Sequence, residues 1–504
     1  MLEWFFAVCI LIAAALFWPA SLYFASGGPL PAPPGAPGRR ILGCRTGGRR
    51  GDRCGPDLVP AATGEAEGVA LVCKPSALAR YLQRHCAAFR SFAAAPRWSW
   101  RASAFLQTVA AACWPAEGAV RFARDHLQVA DGGLVALDWA VAGGEGHKRR
   151  RTASDSASPV LLVIPNSFGK ITWNVLKLCD LGLSHGYAPV VFNRRGQNGA
   201  ALATPRLQRF GDPADLREAV RYLRYRRPGA RLYAASESTG AGLLLSYLGE
   251  CGSSSYLTAA ACLSPVLRCQ AWYESAPCWP YGWALLLYQK ICLSRYKTAL
   301  GETIRTDAVF SCSSLKSLEE ALFCQPEPEP RGASGREGGG VEGGLSWEEY
   351  WESNEPLRDV DEVAVPVLCV CSRDDPVRGD PSTTLPFDLF HSNPHLFLLL
   401  TEQGGHCGFA QPGGGAGGGV MGTAPWSHRA LLEFFRGVTD FFAAEERAQA
   451  ASHRRGLRGG AGAGPVAVGN SRGFRHCSIS ACKRLPACSH SIHSIYSWQR
   501  SYTR

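Results

Sequence analysis

A serine set among small residues is the first place where this sequence could do chemistry. The stretch LYAASESTGAGLLLSYL begins at Leu232, and its apolar residues are interrupted around Ser238 before they resume at helical spacing. This order predicts a strand, a sharp turn and a helix, which together form a nucleophile elbow. The elbow pattern GxSxG needs small residues on both sides because the two backbones approach closely. Gly240 fills the second position and Ser236 replaces the first glycine, so Ser238 is the candidate nucleophile.

A serine hydroxyl becomes a useful nucleophile only when a base takes its proton and an acid orients that base. In a fold of this kind the acid and the base follow the serine in the order Asp, then His. The segment VCSRDDPV offers Asp374 as the acid, with the adjacent Asp375 as its main rival. The segment TEQGGHCGF offers His406 as the base. A turn aspartate and a surface histidine are the alternatives.

An oxyanion hole is the remaining requirement, and it is built from two backbone N–H groups. The amide after the nucleophile is that of Thr239, and the loop IPNSFGK supplies Ser167 as the second predicted donor. Pro165 and Asn166 stand where a His-Gly pair is common in such loops. This change and the serine at the elbow are two departures from an active pattern.

The elements that must position these residues follow from the hydrophobic pattern. A strand pair is predicted around the turn DGG, and helical patterns lie between the later apolar runs. Those runs are VLLVI from Val160, PVVFN from Pro189, RLYAAS from Arg231, YLTAAACLSP from Tyr256, VPVLCVC from Val365 and HLFLLLT from His395. Continuous apolar strands separated by helices predict an α/β fold, with a mostly parallel central sheet and helices on both faces. A serine at a strand-turn-helix junction would project from the carboxyl edge of that sheet.

The predicted domain extends over residues 69–446 and closes with the helix ALLEFFRGVTDFFAAEE. A cap insertion is predicted at about 266–345, and its segment WYESAPCWPYGWALLLYQK is rich in Trp, Tyr and Leu. Such a segment forms either a lid over an apolar acyl pocket or a simple packed cap.

The formal net charge of +11 is carried by the two ends of the chain. Residues 1–53 contribute +4, and the predicted basic low-complexity tail at 447–504 has nine Lys or Arg from Ala448 onward and no Asp or Glu. The intervening residues are therefore slightly acidic, at about −2, and a nucleic-acid partner is not expected.

The N-terminus is predicted to be a membrane anchor over residues 1–27, followed by a flexible Pro/Gly/Arg linker at 28–68. Its apolar run from Trp4 to Ala25 is long enough to cross a bilayer, and six arginines follow it. By the positive-inside rule these arginines place the bulk of the chain in the cytosol. A cleaved signal peptide is the alternative, and it would make the protein secreted or luminal.

The 20 cysteines show no repeated spacing. Cys369 and Cys371 lie in the apolar run VPVLCVC, which is typical of buried reduced thiols. The tail segment HCSISACKRLPACSHSIH matches no standard zinc spacing, so neither a metal ion nor a cofactor is predicted.

Several of these motifs together resemble a known family. They are VADGGLVALDW from Val129, VVFNRRGQNGA from Val190, FGDPADLREAV from Phe210, and the two segments that carry the predicted acid and base. This set resembles the membrane-anchored alpha/beta hydrolases of the AB hydrolase-4 family, over about Val69 to Glu446. The resemblance implies an alpha/beta-hydrolase fold, an N-terminal anchor, a lipid or acyl-ester substrate, and a triad at Ser238, Asp374 and His406.

Two functional hypotheses follow. The first is a membrane-associated serine hydrolase that cleaves carboxylic esters of lipids through the predicted triad. The second is a regulatory protein that keeps the fold but binds a protein partner controlling lipid breakdown, and it is motivated by the two departures from the active pattern. A lipid carrier that uses the pocket without chemistry is a third alternative.

Overall fold

The computed structural model of this chain describes residues 68–93, 95, 99, 102–113, 120–142, 158–275, 281–324, 344–411 and 424–459. The predicted anchor at 1–27, the linker up to residue 67 and the tail from residue 460 lie outside the described residues. Among the helices that are described, none is both long enough and apolar enough to cross a membrane.

The described strands form one nine-stranded sheet. They are β1 (Val69–Val72), β2 (Val120–Gln128), β3 (Leu134–Ala142), β4 (Val160–Ile164), β5 (Ala188–Asn193), β6 (Leu232–Glu237), β7 (Leu257–Leu263), β8 (Val367–Ser372) and β9 (Leu396–Thr401). Their order across the sheet is β1-β9-β8-β7-β6-β4-β5-β3-β2. The six strands from β9 to β5 in this order run parallel, and antiparallel strands flank them on both sides. The predicted mostly parallel sheet and alpha/beta-hydrolase fold are confirmed.

Each of the six predicted apolar runs is a strand of the parallel block, and the strand pair around DGG is β2 and β3. Strand β1 was not predicted, because its four residues are too short for a periodic pattern to emerge. It pairs with β9, where Val69 lies opposite Thr401.

Helices cover both faces of this sheet and build a cap. They are α1 (Ala77–His85), α2 (Ala104–Cys113), α3 (Trp173–Ser184), α4 (Ala214–Arg226), α5 (Gly240–Cys251), α6 (Cys269–Ser275), α7 (Tyr281–Ser294), α8 (Lys297–Leu300), α9 (Thr306–Ser311), α10 (Leu315–Phe323), α11 (Trp347–Asn354), α12 (Pro381–Thr384), α13 (Phe387–Ser392) and α14 (Trp426–Gly459).

Alternate side chains of the strands supply two separate cores. On one face the sheet packs against α1, α3 and α14, and on the other against α4, α5 and α13. Strand β4 shows the division, since Val163 belongs to the first core and Leu162 to the second. This is the period-two alternation of a strand that is buried on both sides. The sheet is therefore held rigidly beneath the loops at its carboxyl edge.

The closing helix α14 is longer than the predicted 430–446 and includes the first part of the predicted tail. Its apolar stripe, which includes Leu431, Phe434, Phe435 and Val438, is buried against the sheet. Beyond that stripe the sequence EERAQAASHRRGLRG is rich in Ala, Glu and Arg, which are good helix formers. The helix therefore continues past residue 446 and ends at Gly459.

The cap runs from α6 to α11 and has a third core of its own. Aromatic rings dominate it, with Phe210 in edge contact with Tyr273 and the indole of Trp351 packed against both rings. The Trp272 indole Nε1 donates to the carbonyl of Val377 at 2.9 Å, and this bond fastens the cap to the loop after β8.

Candidate active site

The turn around Ser238 has the strained geometry of a nucleophile elbow. Strand β6 ends at Glu237, helix α5 begins at Gly240, and Ser238 between them has a φ of 52°. A non-glycine residue in this left-handed region costs about 1–3 kcal/mol, so the surrounding structure must hold it there. The Ser238 amide donates to the carbonyl of Leu263 at 2.8 Å, which ties the turn to the neighbouring strand.

The two small positions of the elbow have different surroundings. A Cβ atom added to Gly240 would lie 2.2 Å from the carbonyl oxygen of Pro165, so only glycine fits there. Ser236 lies within β6 opposite Ile164 and is 2% exposed. Its Oγ has no hydrogen-bond partner among the described residues. The replacement of the first elbow glycine is therefore accommodated sterically, and it leaves one buried hydroxyl unpaired.

Three side chains from three loops form a hydrogen-bonded chain at the carboxyl edge of the sheet. The Ser238 Oγ lies 2.7 Å from Nε2 of His406. The other ring nitrogen, Nδ1, lies 2.8 Å from Oδ2 and 3.0 Å from Oδ1 of Asp375. Because a carboxylate only accepts hydrogen bonds, Nδ1 carries the proton and Nε2 is left to accept from the serine hydroxyl. This arrangement can draw the proton from Ser238.

The predicted partner of His406, Asp374, is corrected to Asp375. The Asp374 carboxylate accepts the amide of Gly405 at 2.9 Å, so it fixes the backbone beside the histidine and does not contact the ring. The Asp375 side chain turns inward, where it also accepts the amides of Val377 and Arg378 at 2.9 and 3.0 Å. The turn after β8 therefore decides which carboxylate faces the ring.

The environment of Asp375 favours its ionised form. Burial opposes ionisation of this side chain, which has no solvent exposure. The neighbouring His406, the Arg378 guanidinium and the backbone N–H bond from Arg378 outweigh that effect and hold the pKa of Asp375 below its usual value. A charged carboxylate is what an imidazolium beside it would require.

The loop that carries His406 is held by residues from distant elements. The His406 amide donates to Oγ1 of Thr108 in α2 at 2.9 Å, and the next amide, of Cys407, donates to Oγ of Ser264 at 2.9 Å. The carbonyl of Cys407 accepts Nδ2 of Asn174 at 2.7 Å. None of these supports has a local sequence pattern, since each partner is more than 140 residues away from the histidine loop.

A second buried carboxylate, that of Glu237, directly precedes Ser238 at the end of β6. Glu237 accepts Oγ1 of Thr172 at 2.9 Å and Nδ2 of Asn174 at 3.4 Å. Burial raises the pKa of this carboxyl, while the bond from Thr172 and the nearby His406 oppose the shift. Glu237 is not among the residues predicted from the sequence, although an acidic residue at the end of a fully buried apolar strand is a signal that points to it.

The two predicted oxyanion residues contact each other directly. The Ser167 amide donates to Oγ1 of Thr239 at 3.0 Å, and Oγ of Ser167 donates to the same oxygen at 2.9 Å. The Ser167 carbonyl accepts Nε2 of Gln197 at 2.8 Å, which anchors this loop. The Ser167 amide is therefore already engaged with the side chain of the other predicted residue.

A cavity of about 80 Å³ begins at Ser167 and extends beneath the cap. Its wall is of mixed polarity, with Leu293 and Tyr273 from the cap beside Arg194 and Glu319. Arg194 is buried and donates to the carbonyls of Arg209 and Phe210. Burial raises the pKa of Glu319 to about 7, against the opposing effects of a bond from Tyr350 and the Arg194 charge. The predicted insertion thus forms a packed core and also borders a cavity that reaches the Ser167 loop.

The described cysteines are free thiols, and Cys369 and Cys371 are buried as predicted. Both face apolar surroundings within β8, and burial raises the pKa of Cys371 to about 12. They are therefore core residues of the sheet and contribute no nucleophile to the site.

Comparisons with known proteins place the chain in a family. Protein ABHD15 of Homo sapiens is 49% identical over 438 residues, which cover 87% of this chain and 86% of that protein. Phospholipase ABHD3 of Mus musculus is 29% identical over 347 residues, which cover 68% of this chain and 79% of that protein. Monoacylglycerol lipase of Saccharomyces cerevisiae is 27% identical over 264 residues, covering 51% and 56% of the two chains. No protein-family model matches the sequence.

The identity to the first of these relatives extends over most of both chains, and its span includes the elbow and the histidine loop that the motifs had singled out. The sheet order and the strand-turn-helix junction at Ser238 agree with it. This chain belongs to the AB hydrolase-4 family of alpha/beta hydrolases, the group that includes Protein ABHD15.

Proposed function

We propose that this protein is a membrane-associated serine hydrolase that cleaves carboxylic esters of lipids. The observation that carries the proposal is the unbroken chain of hydrogen bonds from Ser238 through His406 to Asp375. Each of the three groups has its own supporting bonds, and the nucleophile lies on a strained turn at the carboxyl edge of a parallel sheet. An arrangement of this kind serves acyl transfer on several unrelated folds.

The chemistry would run in two halves. Ser238 Oγ attacks the ester carbonyl carbon while Nε2 of His406 takes the hydroxyl proton, and the carbonyl π electrons move to its oxygen. When that electron pair returns, the bond to the alcohol breaks and His406 protonates the leaving oxygen. Water then repeats the sequence on the acyl-enzyme and releases the acid. Asp375 holds the imidazole and stabilises its cationic form throughout.

A lipid-type substrate is supported by two separate observations. The cavity that reaches Ser167 has apolar walls from Phe168, Leu293 and Phe323 beside its polar groups. The related proteins named above are called a phospholipase and a monoacylglycerol lipase. Their names indicate glycerol esters as the first substrates to try.

Membrane association would come from the predicted anchor at 1–27, with the hydrolase domain in the cytosol. The support is the apolar run from Trp4 to Ala25 and the arginines that follow it. Carbonate extraction of membranes from cells that express the full chain tests the anchor, and protease protection of its C-terminus tests the orientation.

The decisive experiment is labelling of the full-length protein by a fluorophosphonate probe, beside the Ser238→Ala variant. We expect labelling of the wild type, because the probe phosphonylates an activated serine, and its loss in the variant. A wild-type protein that is folded by circular dichroism and still fails to label would contradict the hydrolase proposal.

The second candidate is a regulatory protein that binds a partner controlling lipid breakdown. The observation that favours it is the engaged Ser167 amide, since a donor that is already bonded is not free for an oxyanion. The unpaired Ser236 hydroxyl in the elbow is a further departure from the active pattern. A cellular phenotype that persists in the folded Ser238→Ala variant would support this candidate.

A further inference from the structure

The Thr239 hydroxyl has both of its acceptor positions filled. A hydroxyl oxygen accepts two hydrogen bonds and donates one. Oγ1 of Thr239 accepts the amide of Ser167 at 3.0 Å and the hydroxyl of Ser167 at 2.9 Å. Its own proton has no acceptor within the part of the chain that the structure describes. This proton is therefore available to a group that enters the site.

Thr239 lies between the elbow serine and the Ser167 loop. Thr239 follows Ser238 directly and is the N-cap residue of α5. A threonine at this position commonly accepts an amide of its own helix, but the Thr239 side chain makes no such bond. It bonds to the Ser167 loop, the second wall of the predicted oxyanion hole.

We propose that the Thr239 hydroxyl is the second oxyanion donor of this site, in place of the Ser167 amide. The first donor remains the Thr239 amide, so one residue would bind the developing charge through both its N–H and its O–H. This inference rests on the proposed hydrolase function. It also resolves the objection raised by the engaged amide, because Ser167 then acts as a positioning residue.

The chemical step needs no additional proton transfer. As Ser238 Oγ bonds to the carbonyl carbon, the π electron pair moves to the carbonyl oxygen, which accepts hydrogen bonds from the two Thr239 donors. The serine proton stays on Nε2 of His406. A hydrogen-bond donor that is already fixed in position stabilises the developing oxyanion more than a donor that must reorient during the reaction. Here the two bonds from Ser167 fix the hydroxyl, and Nε2 of Gln197 holds the Ser167 loop by donating to the Ser167 carbonyl.

The competing explanation is that the Thr239 hydroxyl occupies the place of the oxyanion and blocks it. The two explanations predict opposite effects when the hydroxyl is removed. Thr239→Val keeps the shape of the side chain without its hydroxyl, and Thr239→Ser keeps the hydroxyl. Thr239→Ala is a second hydroxyl-free variant that leaves room for water beside Ser167, in case the valine variant does not fold.

The test uses full-length protein in detergent, with p-nitrophenyl butyrate hydrolysis and the rate of fluorophosphonate labelling as readouts. We expect Thr239→Val and Thr239→Ala to lower kcat by about 10²–10³-fold with KM within a few-fold of wild type. Thr239→Ser should stay within about tenfold of wild type in kcat.

The outcomes separate this inference from the function on which it rests. If the wild type labels and the hydroxyl-free variants hydrolyse the ester as fast as the wild type or faster, only the donor assignment is overturned. Faster variants would show that the Thr239 hydroxyl blocks the oxyanion position. A folded wild-type protein that neither labels nor hydrolyses the ester would overturn the hydrolase proposal and the donor assignment together.

Discussion

Asp374 and Asp375 are neighbours in the chain, yet their carboxylates bind different parts of the same loop. Asp375 contacts the Nδ1 edge of the His406 ring at 2.8 Å, and Asp374 accepts the amide of Gly405 at 2.9 Å. One carboxylate therefore orients the imidazole and the other fixes the backbone from which it projects. This division of roles gives a matched pair of variants.

Asp375→Asn should lower the rate of fluorophosphonate labelling by about 10⁴-fold, because an asparagine favours the wrong tautomer of His406. Asp374→Asn should stay within about tenfold, since its side-chain oxygen can still accept the Gly405 amide. Labelling kinetics of the two purified variants provide the measurement. Equal losses in both would show that His406 does not depend on Asp375 in the way the geometry indicates.

The elbow offers a second matched pair. Gly240→Ala should lower the free energy of unfolding by more than about 2 kcal/mol, because its new Cβ would meet the carbonyl oxygen of Pro165 at 2.2 Å. Ser236→Gly should change stability by no more than about 1 kcal/mol, since the loss of an unpaired buried hydroxyl offsets the flexibility of glycine. Urea unfolding measures both. A Gly240→Ala protein as stable as wild type would contradict the close approach of the two backbones.

Thr108 in α2 is predicted to act on catalysis through the position of His406. Its Oγ1 accepts the His406 amide and donates to the carbonyl of Ala104 at 2.7 Å. Thr108→Val should lower kcat by up to about tenfold with KM unchanged, because one supporting bond is worth about 1 kcal/mol. Thr108→Ser retains the hydroxyl and serves as the control. A change confined to KM would instead assign Thr108 a role in substrate binding.

His428 makes the stability of the fold depend on acid pH. It is fully buried, neither ring nitrogen has a hydrogen-bond partner among the described residues, and burial lowers its pKa to about 3. The unfolded chain binds a proton at about pH 6.5 and the folded chain only near pH 3, so stability falls as the pH drops between these values. At pH 5 the loss should reach about 2 kcal/mol.

The measurement is thermal or urea unfolding of wild type and His428→Leu at pH 7.5 and pH 5. The variant should show a smaller loss between the two pH values, because it has no imidazole to protonate at this position. His391→Leu removes an exposed histidine and should behave as wild type does. A pH dependence that is identical in wild type and His428→Leu would show that His428 does not govern it.

The sequence by itself determined the sheet and the elbow. Six apolar runs such as VLLVI became the parallel strands, because a strand that is buried on both faces must be apolar throughout and this is visible locally. The sequence also predicts the elbow, because small residues surround Ser238. It places Ser238 and His406 after two strands, and parallel strands bring their carboxyl ends to one edge of the sheet, where the two residues meet.

Only the tertiary structure decided which side chains of the site bond to each other. Nothing local separates Asp374 from Asp375, because the choice depends on how the turn after β8 meets a loop some thirty residues further along the chain. Thr108 and Asn174 hold the histidine loop through hydrogen bonds, and Thr239 accepts the Ser167 amide. Each of these bonds joins segments that are far apart in the chain. Such contacts arise only when the packed sheet brings those segments together, so no periodicity or spacing in the sequence encodes them.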